Sequence, residues 1–417
     1  MVLLRHLSQI SEGGFPVLLR KLKKLLIIVF TFIVSLPIVL VMRVLRPFII
    51  IRLGKLDGGR IAALYNAEVY LCEHNSGIHK KRIFDIFYFV LSTGVVSNRQ
   101  WIKMWKRVLR VVPFGKLAFY VDSSNKLVPG YSSHVIPMQK SWPIKDEAVK
   151  CILKCRMPNI SFTPEEETLG RRALQELGIP KGCHFICFHT RDSAYLNTIQ
   201  PSHDWNYHNY RDSSIHNYVL AVEEMVQRGF YAIRMGSIVK EKLDVDNPAI
   251  IDYATNGKRT EFLDIYLGAK CQFFLGSPTG ISIVPELFRR PVVYTNWLHF
   301  PNIFTWLQKS LIIPKKLYLS EEKRFLNFRE LIYSEIRVSG RSVDYEIRGI
   351  EVIENSPEEI LAVASEMDER LNGTWETSEE DEKLQQSFWA LFGPNKFKSP
   401  GLRIGADFLR RNKDWIC

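Results

Sequence analysis

The second half of the chain alternates between two patterns of apolar and polar residues. Short apolar runs that end at a glycine or a charged residue are typical of strands buried on both faces of a sheet. Segments with apolar residues at helical spacing separate these runs. The predicted strands are 184–188, 230–235, 249–252, 271–275 and 292–295, and the predicted helices are 164–177, 214–228, 260–269 and 281–288. Strands that alternate with helices predict an α/β fold with a parallel, doubly wound sheet.

The first half of the chain shows a less regular form of the same alternation. The predicted strands are 48–53, 82–90 and 117–121, and the predicted helices are 61–72 and 98–110. A glycine-rich turn at 54–60 follows the first strand, as at the start of a Rossmann-like half, although it does not match the GxGxxG motif. We therefore predict two Rossmann-like domains facing a cleft. The predicted segments are 47–175 (N-terminal domain), 176–350 (C-terminal domain) and 351–417 (C-terminal helical extension).

One apolar stretch near the N-terminus differs from all of these segments. The run 25–42 (LLIIVFTFIVSLPIVLVM) has no charged residue, and its 18 residues are close to the minimum that spans a bilayer. It lacks the small-residue cleavage site of a signal peptide. The basic residues that flank it are Arg20, Lys21, Lys23, Lys24, Arg43 and Arg46. We predict that residues 1–46 form a hydrophobic anchor helix that takes no part in chemistry and can be removed; the alternative is a buried core helix.

The charge of the chain is concentrated beside this apolar run. Of the formal net charge of +12, residues 1–60 carry +8, because they hold ten Lys or Arg against two acids. A nucleic-acid binder would spread basic residues over its folded domains, so this pattern favours a membrane as partner and argues against nucleic acid. The seven cysteines are scattered, without CxxC spacing, and no histidine cluster accompanies them. We therefore predict no disulfide framework, no metal site, reduced thiols and a cytoplasmic catalytic part.

Charged groups directly follow two of the predicted strands. His189, Arg191 and Asp192 come after one strand, and Arg234 and Gly236 end the next. The C-terminal ends of parallel strands form the ligand-binding edge of an open sheet. The planar fork of an arginine suits a diphosphate, so we predict catalytic roles for the first group and donor binding for the second. The alternative is that each arginine pairs with a nearby carboxylate for structural reasons.

A third predicted strand, 271–275, leads into a turn rich in glycine and hydroxyl groups and then into a helix. Ser277, Thr279 and Gly280 would offer hydroxyls and backbone N–H groups at the positive end of the helix dipole, which suits phosphate. Glu286, one turn into the helix, is a candidate ligand for a ribose. The alternative is an ordinary capped turn and an exposed helix acid.

The connection 193–213 is unusually long for a segment between a strand and a helix, where about 2–6 residues are common. Its second part, HDWNYHNYR at 203–211, is rich in aromatic, amide and imidazole groups. These groups suit sugar or nucleotide binding. We expect this connection to close over a bound nucleotide sugar.

Several sequence blocks together resemble a family of glycosyltransferases of bacterial surface-polysaccharide gene clusters. The blocks include HTRDSAYL, HNYRDSSIHNY, GFYAIRMGS, IIDYA and FFLGSPTGISIVPELFRRPVVYTNW, in this order, and the resemblance covers residues 48–415. More distantly, His189-Thr190-Arg191 is similar to the His-x-Arg of GDP-fucose-using transferases, whose arginine binds the donor diphosphate. The turn from Gly276 to Gly280 is similar to the phosphate turn of heptosyltransferases.

The resemblance implies a GT-B-like fold and a metal-independent glycosyltransferase at the bacterial inner membrane, with its catalytic domains in the cytoplasm. Such an enzyme moves a sugar from a nucleotide-sugar donor, its substrate, to a lipid-linked or polysaccharide acceptor, with no further cofactor. Two alternatives stay open: a sugar-nucleotide epimerase or hydrolase on the same fold, and a non-catalytic scaffold of a polysaccharide assembly complex. The general base stays open among His79, His134 and Asp57.

Overall fold

A computed structural model describes residues 2–77, 82–138, 146–298, 303, 307–393 and 401–416; His79 lies outside these residues. The α-helices are α1 (Val2–Leu45), α2 (Tyr65–Asn75), α3 (Arg99–Val108), α4 (Gly115–Asn125), α5 (Asp146–Lys154), α6 (Pro164–Glu176), α7 (Ala194–Ile199), α8 (Val219–Gln227), α9 (Glu261–Lys270), α10 (Ile283–Leu287), α11 (Phe328–Tyr333), α12 (Ser342–Glu346), α13 (Pro357–Asn372), α14 (Glu379–Ala390) and α15 (Ala406–Arg411). The strands are β1 (Ile50–Asp57), β2 (Ile83–Val90), β3 (Phe185–His189), β4 (Tyr231–Arg234), β5 (Ile250–Ile251), β6 (Phe274–Gly276), β7 (Val292–Trp297), β8 (Ser310–Pro314), β9 (Lys316–Leu319), β10 (Arg324–Phe325), β11 (Ile350–Ile353) and β12 (Leu402–Ile404).

The largest sheet is parallel and lies at the centre of the second half of the chain. Among the described residues it has seven strands in the order β12-β8-β7-β6-β3-β4-β5, and every neighbouring pair is parallel. Its central strands are buried along almost their whole length, which explains their continuous apolar runs. The predicted α/β class with a parallel sheet is confirmed.

The order of the strands creates a switch point between β3 and β6. From β3 the chain adds β4 and then β5 on one side of the sheet, and it then returns to place β6 on the other side of β3. The loops that leave β3 and β6 therefore run in opposite directions. In open α/β sheets, ligands bind in the crevice that such a divergence leaves at the carboxyl ends of the strands.

The chain groups into two compact units, each described here by itself. Unit 1 consists of Met1–Asp57, Gly77–Ser92 and Leu109–Met138, and it holds α1, α4 and the parallel pair of β1 and β2. Unit 2 consists of Gly58–Ser76, Thr93–Val108 and Gln139–Cys417, and it holds the large sheet. The segment 351–417 holds α13, α14 and α15, most of β11, and β12, which joins the large sheet.

Local sequence signals account for the ends of the helices. At the start of α6, Thr163 and Glu166 form a capping box, and Pro164 occupies the first turn, where its missing N–H needs no partner. The hydroxyl of Thr260 accepts the N–H of Leu263 at 3.1 Å and begins α9 in the same way. Both helices start within a residue of their predicted positions.

Two predictions for the first half of the chain are wrong. The predicted strand 117–121 lies inside α4, because a run of five apolar residues fits either element; Ala118 and Val121 are buried at helical spacing while Leu117 is exposed. The glycine turn predicted from residue 54 begins later, since β1 continues to Asp57. Gly54 lies within the strand, where a Cβ would come within 2.7 Å of the Ile136 side chain.

Helix α1 is long and apolar, but its last part belongs to the core of unit 1. Among the described residues, the stretch Gly14–Leu45 is the one helix long and apolar enough to cross a membrane, by length and composition only. Val39 and Met42 are buried against a cluster that includes Leu53 and Tyr88. Removal of residues 1–46 would therefore open this core, contrary to the expectation that the segment can be removed.

Candidate functional site

The two sequence blocks HTRD and GSPTG meet at the switch point of the large sheet. His189 at the end of β3 is in register with Gly276 at the end of β6. The N–H of Ser277 donates to the His189 carbonyl at 3.2 Å, and the N–H of Arg191 donates to the Ser277 hydroxyl at 2.8 Å. The prediction that both blocks lie on one carboxyl edge of a parallel sheet is confirmed.

The close approach of backbone at this edge occurs at Gly276. A Cβ on Gly276 would lie 2.0 Å from the carbonyl oxygen of His189, so a side chain cannot be accommodated without moving a strand. Among the described residues, the nearest atom to a Cβ on Gly280 would be the Cβ of Ile61, at 4.0 Å. Within the described residues, no neighbouring atom therefore requires the residue at position 280 to be a glycine.

The turn after β6 offers fewer backbone donors than the sequence predicts. Ser277 already donates its N–H to β3, Pro278 has none, and Thr279 donates its N–H to the Ser282 hydroxyl at 3.2 Å. Helix α10 begins only at residue 283 and has five residues, so its dipole is weak. Among the described residues, Gly280 is the one member of the turn whose N–H has no hydrogen bond. The buried hydroxyl of Thr279 also lacks a partner there.

Arg191 lies buried beside this turn with only 8% of its surface exposed. Its Nη1 donates to the carbonyl oxygen of His208 at 3.2 Å and forms an ion pair with Asp212. Its Nη2 is buried and has no hydrogen-bond partner among the described residues. Burial, followed by the charge of Arg211, lowers the pKa of Arg191 to about 10. One nitrogen of the guanidinium is thus left available to an anionic ligand.

Two further cations lie next to Arg191, and together the three are called the cation cluster: Arg191, Arg211 and Lys315. Arg211 donates from Nη2 to the carbonyl of Pro278 at 3.0 Å, which ties it to the turn after β6. Burial lowers the pKa of Arg211. Among the three cations, Arg191 pairs with the carboxylate of Asp212, while Lys315 donates to the main-chain carbonyl of the same residue.

Lys315 follows β8 and is the member of the cluster that the sequence analysis missed. It is only 3% exposed, and its Nζ donates to the carbonyl oxygens of Tyr210, at 3.2 Å, and Asp212. Burial lowers its pKa to about 8; Glu354 opposes this effect, and the two cluster arginines add to it. The sequence signal that could have identified Lys315 is its position directly after a buried strand, at the same edge of the sheet as HTRD.

His189 and Asp192 are both held by backbone groups. Nδ1 of His189 lies 2.8 Å from the carbonyl oxygen of Met235, and because a carbonyl only accepts, this nitrogen carries the proton. Burial lowers the pKa of His189, so the ring is neutral and Nε2 is an acceptor. Asp192 accepts the N–H groups of Ala194, at 2.9 Å, and Lys240, at 3.0 Å. Its observed contacts therefore fix main chain at the start of α7.

Arg234 and Gly236 occupy the neighbouring strand end but have different surroundings. Arg234 is 3% exposed and forms an ion pair with Asp252 at 3.1 Å. Asp252 also accepts hydrogen bonds from the N–H of Leu243 and the hydroxyl of Thr255. The contacts of Arg234 therefore match the alternative of a structural ion pair. A Cβ on Gly236 would lie 2.5 Å from a methyl group of a neighbouring valine side chain.

Glu286 is buried rather than exposed on the surface of its helix. Only 7% of its surface is accessible, and its carboxylate accepts a hydrogen bond from the hydroxyl of Tyr294 in β7. That hydroxyl also contacts the Ser282 hydroxyl at 3.1 Å. These contacts link α10 to the sheet. They do not test the expected bond between Glu286 and a ribose.

The connection 193–213 has more regular structure than the sequence predicts. It contains α7 and a 3₁₀ turn at Asn206–Arg211. The rings of Trp205 and Tyr207 stack with centroids 6.0 Å apart, and the Arg341 guanidinium lies 5.6 Å from the centre of the Tyr207 ring. The turn is tied to α12, because the Ser342 hydroxyl donates to the Asn206 carbonyl at 3.0 Å.

Two other candidate positions lie in unit 1. His134 is fully buried, with Nδ1 2.8 Å from the Ile51 carbonyl, and burial lowers its pKa. Asp57 accepts the N–H of Ser92 at 3.1 Å and also its hydroxyl. Neither set of contacts identifies a general base.

A group of possible metal ligands lies elsewhere in unit 2. Glu68, Cys72 and Cys155 have ligand atoms within 4.8 Å of one another. The carboxylate of Glu68 already forms an ion pair with Arg289 and accepts a hydrogen bond from Asn159 at 3.1 Å. A cation there would have to displace an arginine from a buried carboxylate.

Comparisons with known proteins give matches among solved structures alone. No protein-family model matches the chain, and no curated protein matches it. The fold is similar to that of the ADP-heptose lipopolysaccharide heptosyltransferase II of E. coli, with 13% identity, 69% of this chain and 96% of that chain covered, and a TM-score of 0.37. It is also similar to a glycosyl transferase family 9 protein of Veillonella parvula, with 8% identity, coverage of 76% and 96%, and a TM-score of 0.44.

A third similar structure belongs to a different class of enzyme. It is the UDP-GlcNAc 2-epimerase of Neisseria meningitidis bound to UDP-GlcNAc, with 11% identity, 59% of this chain and 82% of that chain covered, and a TM-score of 0.28. At these TM-scores, function has to be inferred from the site itself.

Proposed function

We propose that the protein is a membrane-associated, metal-independent glycosyltransferase that moves a sugar from a nucleotide-sugar donor to a lipid-linked or polysaccharide acceptor in surface-glycan biosynthesis. The observation that carries this proposal is the cation cluster at the carboxyl edge of β3 and β6. The resemblance of HTRD and GSPTG to donor-binding blocks of glycosyltransferases supports it. The proposed arrangement is GT-B-like, with two Rossmann-like domains at the bacterial inner membrane and the catalytic domains in the cytoplasm.

The cation cluster fits a ligand with more than one negative charge. Placing several like charges away from water is unfavourable unless counter-charges compensate them. Burial and the neighbouring cations lower the pKa of Arg191 and Lys315 despite the opposing charges of Asp192 and Glu354, so the site favours further negative charge. A diphosphate would supply two negative groups within reach of one cluster. The free Nη2 of Arg191 and the turn hydroxyl of Thr279 are suitable donors for it.

In the proposed reaction the cluster acts on the leaving group. As the bond between the sugar and the diphosphate breaks, negative charge grows on the diphosphate. Fixed positive charges at this position stabilise the transition state more than the bound donor, which is what raises the rate. Neutral His189 offers Nε2 as an acceptor to a donor hydroxyl near the same edge, while Asp192 keeps the main chain of the loop in place.

Ligand binding tests the donor site. The full chain in detergent is screened by thermal shift against ADP, GDP, UDP and inorganic diphosphate, because a ligand that binds the folded state raises its apparent stability. We expect at least one nucleoside diphosphate to raise the Tm, and Arg191→Ala to abolish this shift. Arg172→Ala is the matched control, since its side chain is 78% exposed and pairs with Glu176 on its own helix. Equal shifts in both variants would exclude Arg191 from the site.

Product analysis separates transfer from its alternatives. Purified protein is incubated with a radiolabelled nucleotide sugar in the presence and absence of a lipid-linked acceptor fraction. We expect label in the lipid fraction only when acceptor is present. Release of free sugar without acceptor would indicate a hydrolase, and an epimerised nucleotide sugar would indicate an epimerase. Binding without any conversion would indicate a scaffold and contradict the proposal.

A further inference from the structure

Helix α1 contacts unit 1 along one stripe of its last part. Ser35, Val39 and Met42 are buried and stand at helical spacing. The hydroxyl of Ser35 lies 2.6 Å from that of Ser124 in α4, and Arg43 donates to the side-chain oxygen of Asn125 at 2.6 Å. The stretch from residue 35 onward is therefore fixed to unit 1.

The opposite side of α1, from residue 30 to residue 44, is apolar and exposed. This outer face of α1 is formed by Phe30, Ile33, Val34, Ile38, Val41 and Val44. Their exposure runs from 39% at Ile38 to 73% at Val44, and no described residue covers them. A helix that packs on one side and presents large aliphatic groups on the other needs an apolar partner.

The length of the helix limits how it can meet a bilayer. Within the charge-free run 25–42, only residues 25–34 precede the part fixed to unit 1, and they provide about 15 Å of helix. The hydrocarbon core of a bilayer is about 30 Å thick. The free part of the run is therefore about half of what a span requires.

The rest of the span cannot come from the part of α1 that packs on unit 1. Immersing this part would also immerse its neighbour α4, which carries Lys116 and the ion pair of Asp122 with Lys126. A charged side chain at the centre of a bilayer is strongly unfavourable, because it loses its contact with water. The geometry therefore disfavours a transmembrane helix.

We infer that α1 is a monotopic anchor, which lies in the membrane interface with its outer face in the acyl boundary. This inference rests on the membrane association of the proposed function but on none of its chemistry. Basic residues on both sides of the run fit the headgroups of anionic lipids: Arg20 and Lys23 before it and Arg46 after it are exposed. The N-terminus and the folded units then lie on the same side of the membrane.

Sidedness tests the inference directly. The full chain with an N-terminal epitope tag and a protease site is examined in inner-membrane vesicles whose cytoplasmic face is outward. Cys183, an exposed thiol of unit 2, marks the side of the folded part through a membrane-impermeant maleimide. We expect the tag to be cleaved and Cys183 to be labelled in the same vesicles. A tag that is protected while Cys183 reacts would establish a span and overturn the inference.

Substitutions on the outer face of α1 test whether the partner of this face is a lipid surface. In Ile33→Gln/Ile38→Gln/Val41→Gln, which removes apolar area without changing the charge, we expect the fraction bound to vesicles with anionic lipids to fall at least tenfold, while the Tm and diphosphate binding stay unchanged. Ile347→Gln is the control, because Ile347 is 77% exposed in unit 2. Unchanged vesicle binding, with loss of an oligomer in light scattering, would assign the face to a second copy of the chain and overturn the inference. Absence of diphosphate binding with same-side topology would refute the proposed function alone.

Discussion

Arg191 and Arg234 occupy equivalent places in the sequence but different electrostatic surroundings in the structure. Each follows or ends a buried parallel strand, and the two strands are neighbours in the sheet. Arg234 is matched with one carboxylate, Asp252, which further donors hold in place. Arg191 pairs with Asp212 and lies beside two further cations, Arg211 and Lys315. Position at a sheet edge therefore does not by itself predict a ligand-binding arginine, and we take the crowding of cations around Arg191 as the feature that separates the two.

Sheet topology explains why the surplus of charge lies at Arg191. Strand β3 stands at the switch point, so the chain leaves β3 and β6 in opposite directions and a crevice opens between their ends. Strand β4 has β3 and β5 as neighbours, and the chain passes through these three in order. At the end of β4, Arg234 is 3% exposed and pairs with Asp252, which directly follows β5.

The largest expected effect concerns stability and would separate the two arginines. Arg234→Ala leaves the carboxylate of Asp252 without its charge partner, and breaking a buried pair lowers the free energy of unfolding by about 3–5 kcal/mol. Arg191→Ala removes one of three crowded cations, so we expect little loss of stability. Urea unfolding of both variants measures the difference. Equal losses in the two variants would contradict the distinction between them.

The second effect concerns turnover, where we expect the substitution of Arg191 to have a larger effect than that of Arg234. Arg191→Lys keeps a positive charge but loses the planar fork, and we expect donor turnover to fall about a hundredfold, equivalent to about 2–4 kcal/mol in the barrier. Arg234→Lys, which keeps the pair with Asp252, should remain within a few-fold of the native chain. Rates from single-turnover assays with folded protein provide the measurement. Near-normal turnover in Arg191→Lys would remove this side chain from the mechanism.

The third effect tests whether backbone packing places Arg191. Gly276→Ala would put a methyl group 2.0 Å from the His189 carbonyl oxygen, so we expect the free energy of unfolding to fall by about 1–3 kcal/mol. Gly280→Ala meets nothing closer than 4.0 Å and should leave the free energy of unfolding unchanged. If Gly280→Ala nevertheless weakens diphosphate binding, a ligand must approach the main chain there. Paired thermal unfolding and titration calorimetry distinguish these outcomes.

The smallest effect is a dependence of binding on pH. Lys315 has a pKa of about 8 in the free protein, and a bound diphosphate favours its charged form. Above about pH 8 binding must therefore recapture a proton, so affinity falls by up to about tenfold per pH unit. Calorimetry in two buffers of different ionisation enthalpy should show proton uptake at pH 8. Lys315→Met should abolish the uptake, and proton release by the native chain would contradict the assignment.

Much of the large sheet could be predicted from the sequence because its strands are short, continuously apolar and separated by helices. The edge that brings His189, Arg191 and the turn after β6 together followed from the same pattern. The strand predicted at 117–121 failed because five apolar residues carry no periodicity that separates a strand from a turn of helix. Residues 117–121 are too short to be recognised as a helix by themselves. They belong to one because α4 continues through the polar residues that follow, up to Asn125.

The composition of the site could be predicted only in part, because charge balance is a property of three dimensions. Nothing local to Arg234 indicates that Asp252, 18 residues later, lies beside it. Lys315 is 124 residues from Arg191 in the chain, and β8 brings it to the cluster only through the strand order of the sheet. Of the free N–H groups expected in the turn, that of Ser277 donates to His189 and that of Thr279 donates to the hydroxyl of Ser282, and neither contact is visible in the sequence.

The carbonyl oxygens of His208, Tyr210 and Asp212 have a consequence for how occupancy can be observed. They accept hydrogen bonds from Arg191 and Lys315, the same donors that a diphosphate would recruit. A bound ligand would therefore draw these donors away from the 3₁₀ turn that carries the carbonyls. Trp205 immediately precedes that turn and stacks on one of its rings. The emission of this indole would change as the proposed site fills, so the native chain would carry an intrinsic fluorescent reporter of ligand binding.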